Sequence, residues 1–254
     1  MDLILIYFAI RYKGYFHEIY QAIKNKEFVP IEALEEIKRK VETKEIQAIT
    51  IVDDDYPESL KLINNPPFVL FYEGNRELLK DKKIFLTGDF QNDNISNFLN
   101  DSMNEISKTY TLVSNFSNKL DDNIVDYCLD QNKKLILVSP NGLKNSHFNR
   151  NIDLSKLNKN NFLILSEYPN DVILNKKRIC QRNRISVGFA ESLIVASSYK
   201  GSNILSLVNF ALEQGKDIYC YPGLQDDNDG NNLLIQDGAT MITSIKNIKS
   251  KFIN

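Results

Sequence analysis

Cysteine and histidine are scarce in this chain, and their scarcity removes several kinds of chemistry at once. Three cysteines (Cys128, Cys180 and Cys220) are an odd number, widely spaced and without a CxxC pair, so neither a disulfide framework nor a thiolate zinc site is indicated. Two histidines, His17 and His147, make a histidine-based metal centre a poor fit. No run approaches the roughly 18 apolar residues of a membrane helix. The apolar start Leu3–Ile10 is followed by Arg11 and Lys13, has Asp2 where a basic n-region belongs, and lacks a small-residue cleavage site, which argues against a signal peptide. No strand-to-helix loop reads GxGxxG or Walker A, so dinucleotide or ATP binding has no support and no cofactor is expected. The chain offers no nucleophile paired with a base and no carboxylate pair in a convincing setting. The expectation is a soluble cytoplasmic protein without metal, cofactor or membrane partner.

What is present begins with size and charge. At 254 residues, 43% hydrophobic and 25% charged, the chain can bury a full core and should hold one main domain and a small extra one. Its net charge of −2 hides a segregated pattern. Residues 1–132 carry 15 Lys/Arg against 23 Asp/Glu, residues 133–184 carry 11 against 3, and residues 185–254 carry 5 against 7. A basic middle in a slightly acidic chain is the footprint of a polyanion-binding face, the alternative being an ordinary solvated surface. The acidic run Asp53-Asp54-Asp55 is read as a loop and helix start before Pro57 rather than as a metal site.

Residues 1–45 read as helical: Ile31, Leu34, Ile37 and Val41 recur at helical spacing after Pro30, with Glu32, Glu35 and Glu36 in the early turns. From residue 46 the pattern changes. Short apolar runs appear at Ile46–Val52, Phe68–Tyr72, Lys83–Thr87, Tyr110–Val113, Lys134–Ser139, Asn161–Ser166, Ser192–Ala196 and Ile218–Tyr221. Amphipathic segments such as Ile95–Ser107, Ile124–Gln131 and Leu205–Gln214 separate several of them. Strands apolar on both faces and separated by helices predict an α/β fold, a Rossmann-like, mostly parallel sheet with helices on both faces. The domain reading is a helical N-terminal region, 1–45, and a Rossmann-like domain, 46–254.

In such a sheet ligands sit beyond the carboxyl ends of the strands. The loops there are Gly88-Asp89-Phe90, Ser114–Asp121, Pro140-Asn141-Gly142, Ser166-Glu167-Tyr168-Pro169 and Pro222-Gly223, whose Gly, Ser and Asn let backbone N–H groups point at phosphates. The densest feature is Gln181-Arg182-Asn183-Arg184-Ile185-Ser186-Val187-Gly188, two arginines and an asparagine running into a small apolar segment. That order suits a basic rim on a groove anchored in the core, or a solvated helix start. Arg178 and Arg182, four apart, would share a helix face, with Lys177 and Arg184 flanking it.

Five stretches, in one order, carry a family resemblance. Asp53-Asp54-Asp55-Tyr56-Pro57 with Asn65–Asn75 forms the approach to the sheet. Then come Ser166-Glu167-Tyr168-Pro169, Arg182-Asn183-Arg184-Ile185 with Gly188, Ala211–Gly215 leading to Tyr221-Pro222-Gly223, and Gly230, Asn232, Leu234-Ile235 and Gly238-Ala239. Over residues 46–243 the chain resembles the DprA (Smf, DNA-processing) family. That resemblance implies a non-enzymatic protein that binds single-stranded DNA in a basic groove, forms a homodimer, and helps load RecA recombinase in natural transformation. The resemblance and the helix-face reading of the basic segment together give expected DNA contacts at Gly88, Ser114, Lys119, Arg150, Asn151, Ser166, Lys177, Arg178, Arg182, Asn183 and Arg184. Dimer contacts are expected at Leu234, Ile235 and Met241, where the apolar surface exceeds what a terminal helix needs and where the family also associates, and the C-terminal winged helix of some members is not expected.

The departures are equally specific. The family's G-S-R loop becomes Gly88-Asp89-Phe90, with Asp93 close by, and its S-G-x-A-x-G-I-D loop keeps Ser114 and Asp121 but loses both glycines. Cys180 stands where a proline usually precedes the arginines, and S-G-S-L becomes Ser202-Asn203-Ile204-Leu205. The expectation is therefore weaker DNA binding, shifted onto residues 133–184, with Tyr168 and Phe148 as stacking platforms. Part of the Arg182/Arg184 pair has a second role open to it, holding the Ser166–Pro169 turn through Glu167. Two alternatives stay open: a scaffold with weakened DNA binding, and a LOG-like nucleotide phosphoribohydrolase. The second needs a P-G-G-x-G-T-x-x-E loop, which Pro222-Gly223-Leu224-Gln225 does not supply.

Overall fold

The computed structural model describes residues 1–145, 158–223 and 228–249. Its strands are β1 (Ala48–Thr50), β2 (Val69–Gly74), β3 (Lys83–Gly88), β4 (Thr111–Ser114), β5 (Leu135–Val138), β6 (Phe162–Ser166), β7 (Ser192–Ser197), β8 (Asp217–Cys220) and β9 (Thr240–Met241). Its α-helices are α1 (Leu3–Arg11), α2 (Phe16–Lys24), α3 (Ile31–Glu42), α4 (Glu58–Lys61), α5 (Asp93–Ile106), α6 (Lys119–Asp130), α7 (Lys176–Phe189), α8 (Ile204–Glu213), α9 (Asn231–Gln236) and α10 (Lys246–Lys249). All eight apolar runs are strands. β9 had no such signal, because both of its residues are exposed and no apolar run marks it.

The strands form one sheet in the order β1-β2-β6-β5-β4-β3-β7-β8-β9. Neighbours from β6 to β9 are parallel, whereas β2 pairs antiparallel with both β1 and β6. The fold is thus α/β and Rossmann-like. From β3 the chain steps outward through β4, β5 and β6, then crosses back to the other side of β3 as β7. The order reverses there, so a crevice opens above the carboxyl ends of β3 and β7.

Alternation along the strands builds two cores. Phe85, Val113, Ile136, Leu163 and Leu193 face Ile185 and Val187 of α7 and Leu207 and Ala211 of α8. Ile84, Leu86, Leu112, Leu137 and Ile194 face Phe98 and Leu99 of α5 and Leu120 and Ile124 of α6. Each such side chain contributes about 1.5–3 kcal/mol by leaving water, before the entropy of ordering it is charged against the gain.

The first three helices build a third cluster, in which Ile6, Phe8, Ile19 and Ile37 pack with Ala48 of β1 and Val69 and Phe71 of β2. Asp2 starts α1 by accepting from the amides of Ile4 and Leu5. The turn between α1 and α2 lands on the loop after β6. Gly14 sits there at φ +74°, and a Cβ would lie 2.5 Å from the Glu167 carbonyl oxygen. The acidic run at 53–55 is local structure: Asp53 accepts from the Thr50 amide at 2.8 Å and pairs with the amino group of Met1. Among the described residues, no helix is long and apolar enough to cross a membrane.

Candidate nucleic-acid interface

α7 starts above the carboxyl ends of the strands, with the Asn175 side chain capping it at the Arg178 amide. Its three arginines point inward. Arg178, Arg182 and Arg184 are 6%, 4% and 4% exposed, so each of them is buried against a loop or a turn rather than presented to solvent. Arg178 lies between the rings of Tyr15 and Tyr168, 5.3 and 5.1 Å from their centroids, and donates to the Ile173 carbonyl and the Tyr15 hydroxyl. Arg182 donates to the Asn115 carbonyl and the Ser117 hydroxyl, both at 3.0 Å, and so holds the loop after β4.

Arg184 holds the turn after β6. Its two terminal nitrogens reach the two Glu167 oxygens at 2.9 and 2.5 Å, and it donates to the Asn65 carbonyl as well. The side chains of both partners are 5% exposed. Burial opposes the Arg184 charge, but Glu167 reverses the balance and holds its pKa above the ordinary value. Burial lowers the Arg182 pKa to about 10, with Asp121 pulling the other way, so it stays charged at neutral pH.

The other expected site residues divide by exposure. Asn183 is buried, accepting from the Asn115 side-chain Nδ2 at 3.0 Å and donating to the Ser206 hydroxyl of α8. Ser114 and Ser166 are fully buried: Ser114 accepts from the Phe116 amide, and Ser166 donates to the Asn141 carbonyl. Gly88 has no room for a side chain, since a Cβ would lie 2.6 Å from the Ser197 hydroxyl oxygen. Lys119, at the start of α6, and Lys177, in the first turn of α7, are exposed. Arg150, Asn151 and Phe148 lie outside the described residues. Tyr168, expected as a stacking platform, is 3% exposed with Arg178 over its ring, so it offers no open face.

The loop after β3 is fixed to β7. Ser197 accepts from the Phe90 amide and donates to its carbonyl, while the Asp89 carboxylate accepts from the Tyr199 amide at 2.8 Å. The Phe90 and Tyr199 rings are 4.8 Å apart. No cation stands at the position where the resemblance implies an arginine.

Two parts of this arrangement carried no sequence signal. One is Tyr15 with Gly14, more than 150 positions from the turn they touch. The other is the environment of Asp121, which accepts from the Thr87 hydroxyl at 2.9 Å and the Ser117 amide at 3.0 Å. Burial raises its pKa to about 6 against those hydrogen bonds and the charge of Arg182.

A family model described as DNA recombination-mediator protein A matches residues 47–253. The chain is similar to DNA processing protein DprA of Streptococcus pneumoniae (strain ATCC BAA-255 / R6), 31% identical over 215 residues that cover 83% of this chain and 76% of that protein. DNA processing protein DprA of Bacillus subtilis (strain 168) is 30% identical over 211 residues, covering 80% and 70%. The X-ray structure of DNA processing protein A from S. pneumoniae superposes with a TM-score of 0.75 at 25% identity, covering 98% of this chain and 93% of that one. DNA processing protein A from Helicobacter pylori, a structure described for its single-stranded DNA binding mode, superposes with a TM-score of 0.71 at 23% identity. It covers 82% of this chain and 96% of its own, a likeness of fold.

Proposed function

This chain belongs to the DNA recombination-mediator protein A family, and on that footing we propose that it binds single-stranded DNA and, as a cytoplasmic homodimer without catalytic activity, helps load RecA recombinase in natural transformation. The observation that supports this reading best is the loop framework. α7 uses its arginines to hold the loop after β4, the turn after β6 and the α1–α2 turn, leaving a firm surface at the carboxyl end of the sheet. Lys119 and Lys177 project from that surface, and in this reading they meet phosphates together with Arg150 and Asn151. Gly88, Ser114 and Ser166 shape the loops beneath the strand, and Arg178, Arg182, Asn183 and Arg184 keep those loops in place. Residues 46–254 are proposed as the DNA-binding domain and 1–45 as a helical region that braces it through Tyr15.

The dimer in this reading uses the β9 end of the sheet. Leu234 is buried and Ile235 packs on the core, so the exposed apolar side chains at this end include Met241 of β9, 56% exposed, and Leu233 of α9, 43% exposed. Light scattering at tens of micromolar should show a dimer that Met241→Asp weakens. For DNA, anisotropy of a labelled single strand across a salt series is the test. Each phosphate contact contributes about 0.7 to the salt slope of a single strand, so Lys119→Ala, Lys177→Ala and Arg150→Ala should each lower it by about that much. Three variants with the parent's affinity and slope would sink the assignment.

A further inference from the structure

The loop after β4 is pinned from both faces of the sheet. Phe116 places its buried ring in the core that faces α5 and α6. Its backbone stands at φ +51°, in the left-handed region that a bulky residue occupies only when its surroundings impose it. One residue earlier, Asn115 engages α7 instead and is 3% exposed. Its side chain is a carboxamide, which donates and accepts at the same time. Nδ2 donates to the Asn183 Oδ1 at 3.0 Å, while Oδ1 accepts from the Ser186 hydroxyl. The Asn115 carbonyl also accepts from Arg182, at 3.0 Å. Arg182, Asn183 and Ser186 share one face of α7 through their three- and four-residue spacing, so one residue of the loop engages a whole helical turn.

The two halves of α7 are held differently. In its second half, Ile185, Val187 and Phe189 belong to the core that packs on the sheet. Residues 176–184 contribute no side chain to any of the three apolar clusters among the described residues. That half is tied down by polar contacts: Arg178 to the Tyr15 hydroxyl and the Ile173 carbonyl, Arg184 to Glu167, and Arg182 and Asn183 to the loop after β4. Lys177, exposed in the first turn, rides on this half. Lys119, exposed at the start of α6, stands at the far end of the loop that Asn115 begins. The Asn115 carboxamide is therefore the joint between two elements that each carry an exposed lysine. Alanine there leaves buried polar atoms of Asn183 and Ser186 without that partner, and aspartate keeps an acceptor for Ser186 but loses the donor for Asn183.

We propose that Asn115 is a positioning residue, whose carboxamide fixes the first half of α7 over the loop after β4 and so sets where Lys177 stands relative to Lys119. The use of that spacing, two cations held for the phosphates of one strand, rests on the single-stranded DNA reading, but the joint is testable without a strand. Nitroxide labels on Lys119→Cys and Lys177→Cys, diluted into excess unlabelled protein, report their separation by pulsed electron resonance. The background is Cys180→Ser, since Cys180 is exposed while Cys128 and Cys220 are buried. A narrow distribution is expected with Asn115 in place. A broadened one is expected in Asn115→Ala and in Asn183→Ala, which breaks the same bond from the helix side. The second arm is the salt series with the labelled strand. Asn115→Ala should lower the slope by about 0.7, one phosphate contact, with both lysines still present. In that background Lys177→Ala should lower it no further, whereas Arg150→Ala should still remove about 0.7.

A residue that mattered only for stability would lower Tm and leave both readouts alone, so an unchanged distance distribution overturns the proposal whatever the strand does. A broadened distribution with the parent's salt slope overturns it as well, because the contact made by Lys177 would then not depend on the joint. If the parent binds no strand while the distribution broadens in Asn115→Ala, the single-stranded DNA reading ends and the joint stands. Should Asn115→Ala fail to fold, Asn183→Ala and Ser186→Ala carry the test, each removing one side-chain bond of the joint and each expected to broaden the distribution.

Discussion

The carboxyl end of the sheet has two halves that treat charge in opposite ways. On the α7 side, three arginines lie within seven residues and all are buried, each tied to a carbonyl, a ring or Glu167. At the β3–β7 mouth, open to solvent, no cation lines the cavity among the described residues. Counting basic residues along the chain locates the first half and says nothing of which way the side chains point. What the difference teaches is that the densest basic motif is scaffold, whereas Lys119 and Lys177, at the helix starts, are exposed. An arginine suits the inward task because its fork satisfies several acceptors at once.

The strongest way to break this contrast is Arg184→Ala. It leaves Glu167 as a buried carboxylate without its partner, and removing one member of a buried pair destabilises by about 3–5 kcal/mol. For a chain of this size that lowers Tm by roughly 6–20 °C. Lys177→Ala, a surface change on the same helix, should stay within about 0.5 kcal/mol. Thermal and urea unfolding of the two variants measure the gap. Equal stabilities would mean that the α7 arginines are not scaffold. A double-mutant cycle with Glu167→Leu should show strong coupling, because the second substitution removes the stranded charge.

Gly14 sharpens the comparison from the N-terminal side. It and Gly201 share nearly the same φ, +74° and +71°, but Gly201 has nothing within 4 Å of where a Cβ would go. Gly201→Ala therefore carries only the left-handed strain, about 1–2 kcal/mol. Gly14→Ala adds a clash with the backbone of the turn after β6, and should cost at least about 1 kcal/mol more than Gly201→Ala. Urea unfolding of the pair isolates the contact. Hydrogen exchange at Tyr168 should rise only in the Gly14 variant. Matching losses would show that the α1–α2 turn does not bear on that loop.

The fold was legible because both-face-apolar runs such as Leu135–Val138 admit few placements other than the middle of a parallel sheet. The antiparallel β1–β2 extension was less so: their pairing depends on the chain folding back through residues 51–68, and no short turn signal announces it. Within the site, the Arg184–Glu167 pair was legible as an option, since an arginine in one motif and a carboxylate in another can meet only through tertiary contact. Phe90 was legible as a departure, but not as a wall of a cavity, because Tyr199 and Tyr221 come to it from elements far apart in sequence. Burial of Tyr168 was not legible at all. Its environment is made by Tyr15 and Arg178, and a lone tyrosine reads the same whether its ring is covered or open.

The finest test concerns Asp121, the carboxylate on which the β4 loop closes. Its folded pKa, about 6, stands above the unfolded value of about 3.9. Between those two values the native state keeps a proton that the unfolded chain has already released. This group therefore favours the fold fully below about pH 4, and that contribution is lost as pH rises through 6. The sign is opposite to that of a salt-bridged carboxylate, whose stabilisation disappears on acidification. A shift of about two units on so buried a group corresponds to roughly 2–3 kcal/mol. Asp121→Asn keeps the size and removes the titration, although its amide can accept from only one of Thr87 and Ser117. Urea unfolding of parent and variant at pH 4, 5, 6 and 7 should show the parent losing ground steadily across the window. A stability difference that stays constant from pH 4 to 7 would mean that Asp121 does not carry this shift, and that Arg182 faces a full negative charge at every pH tested.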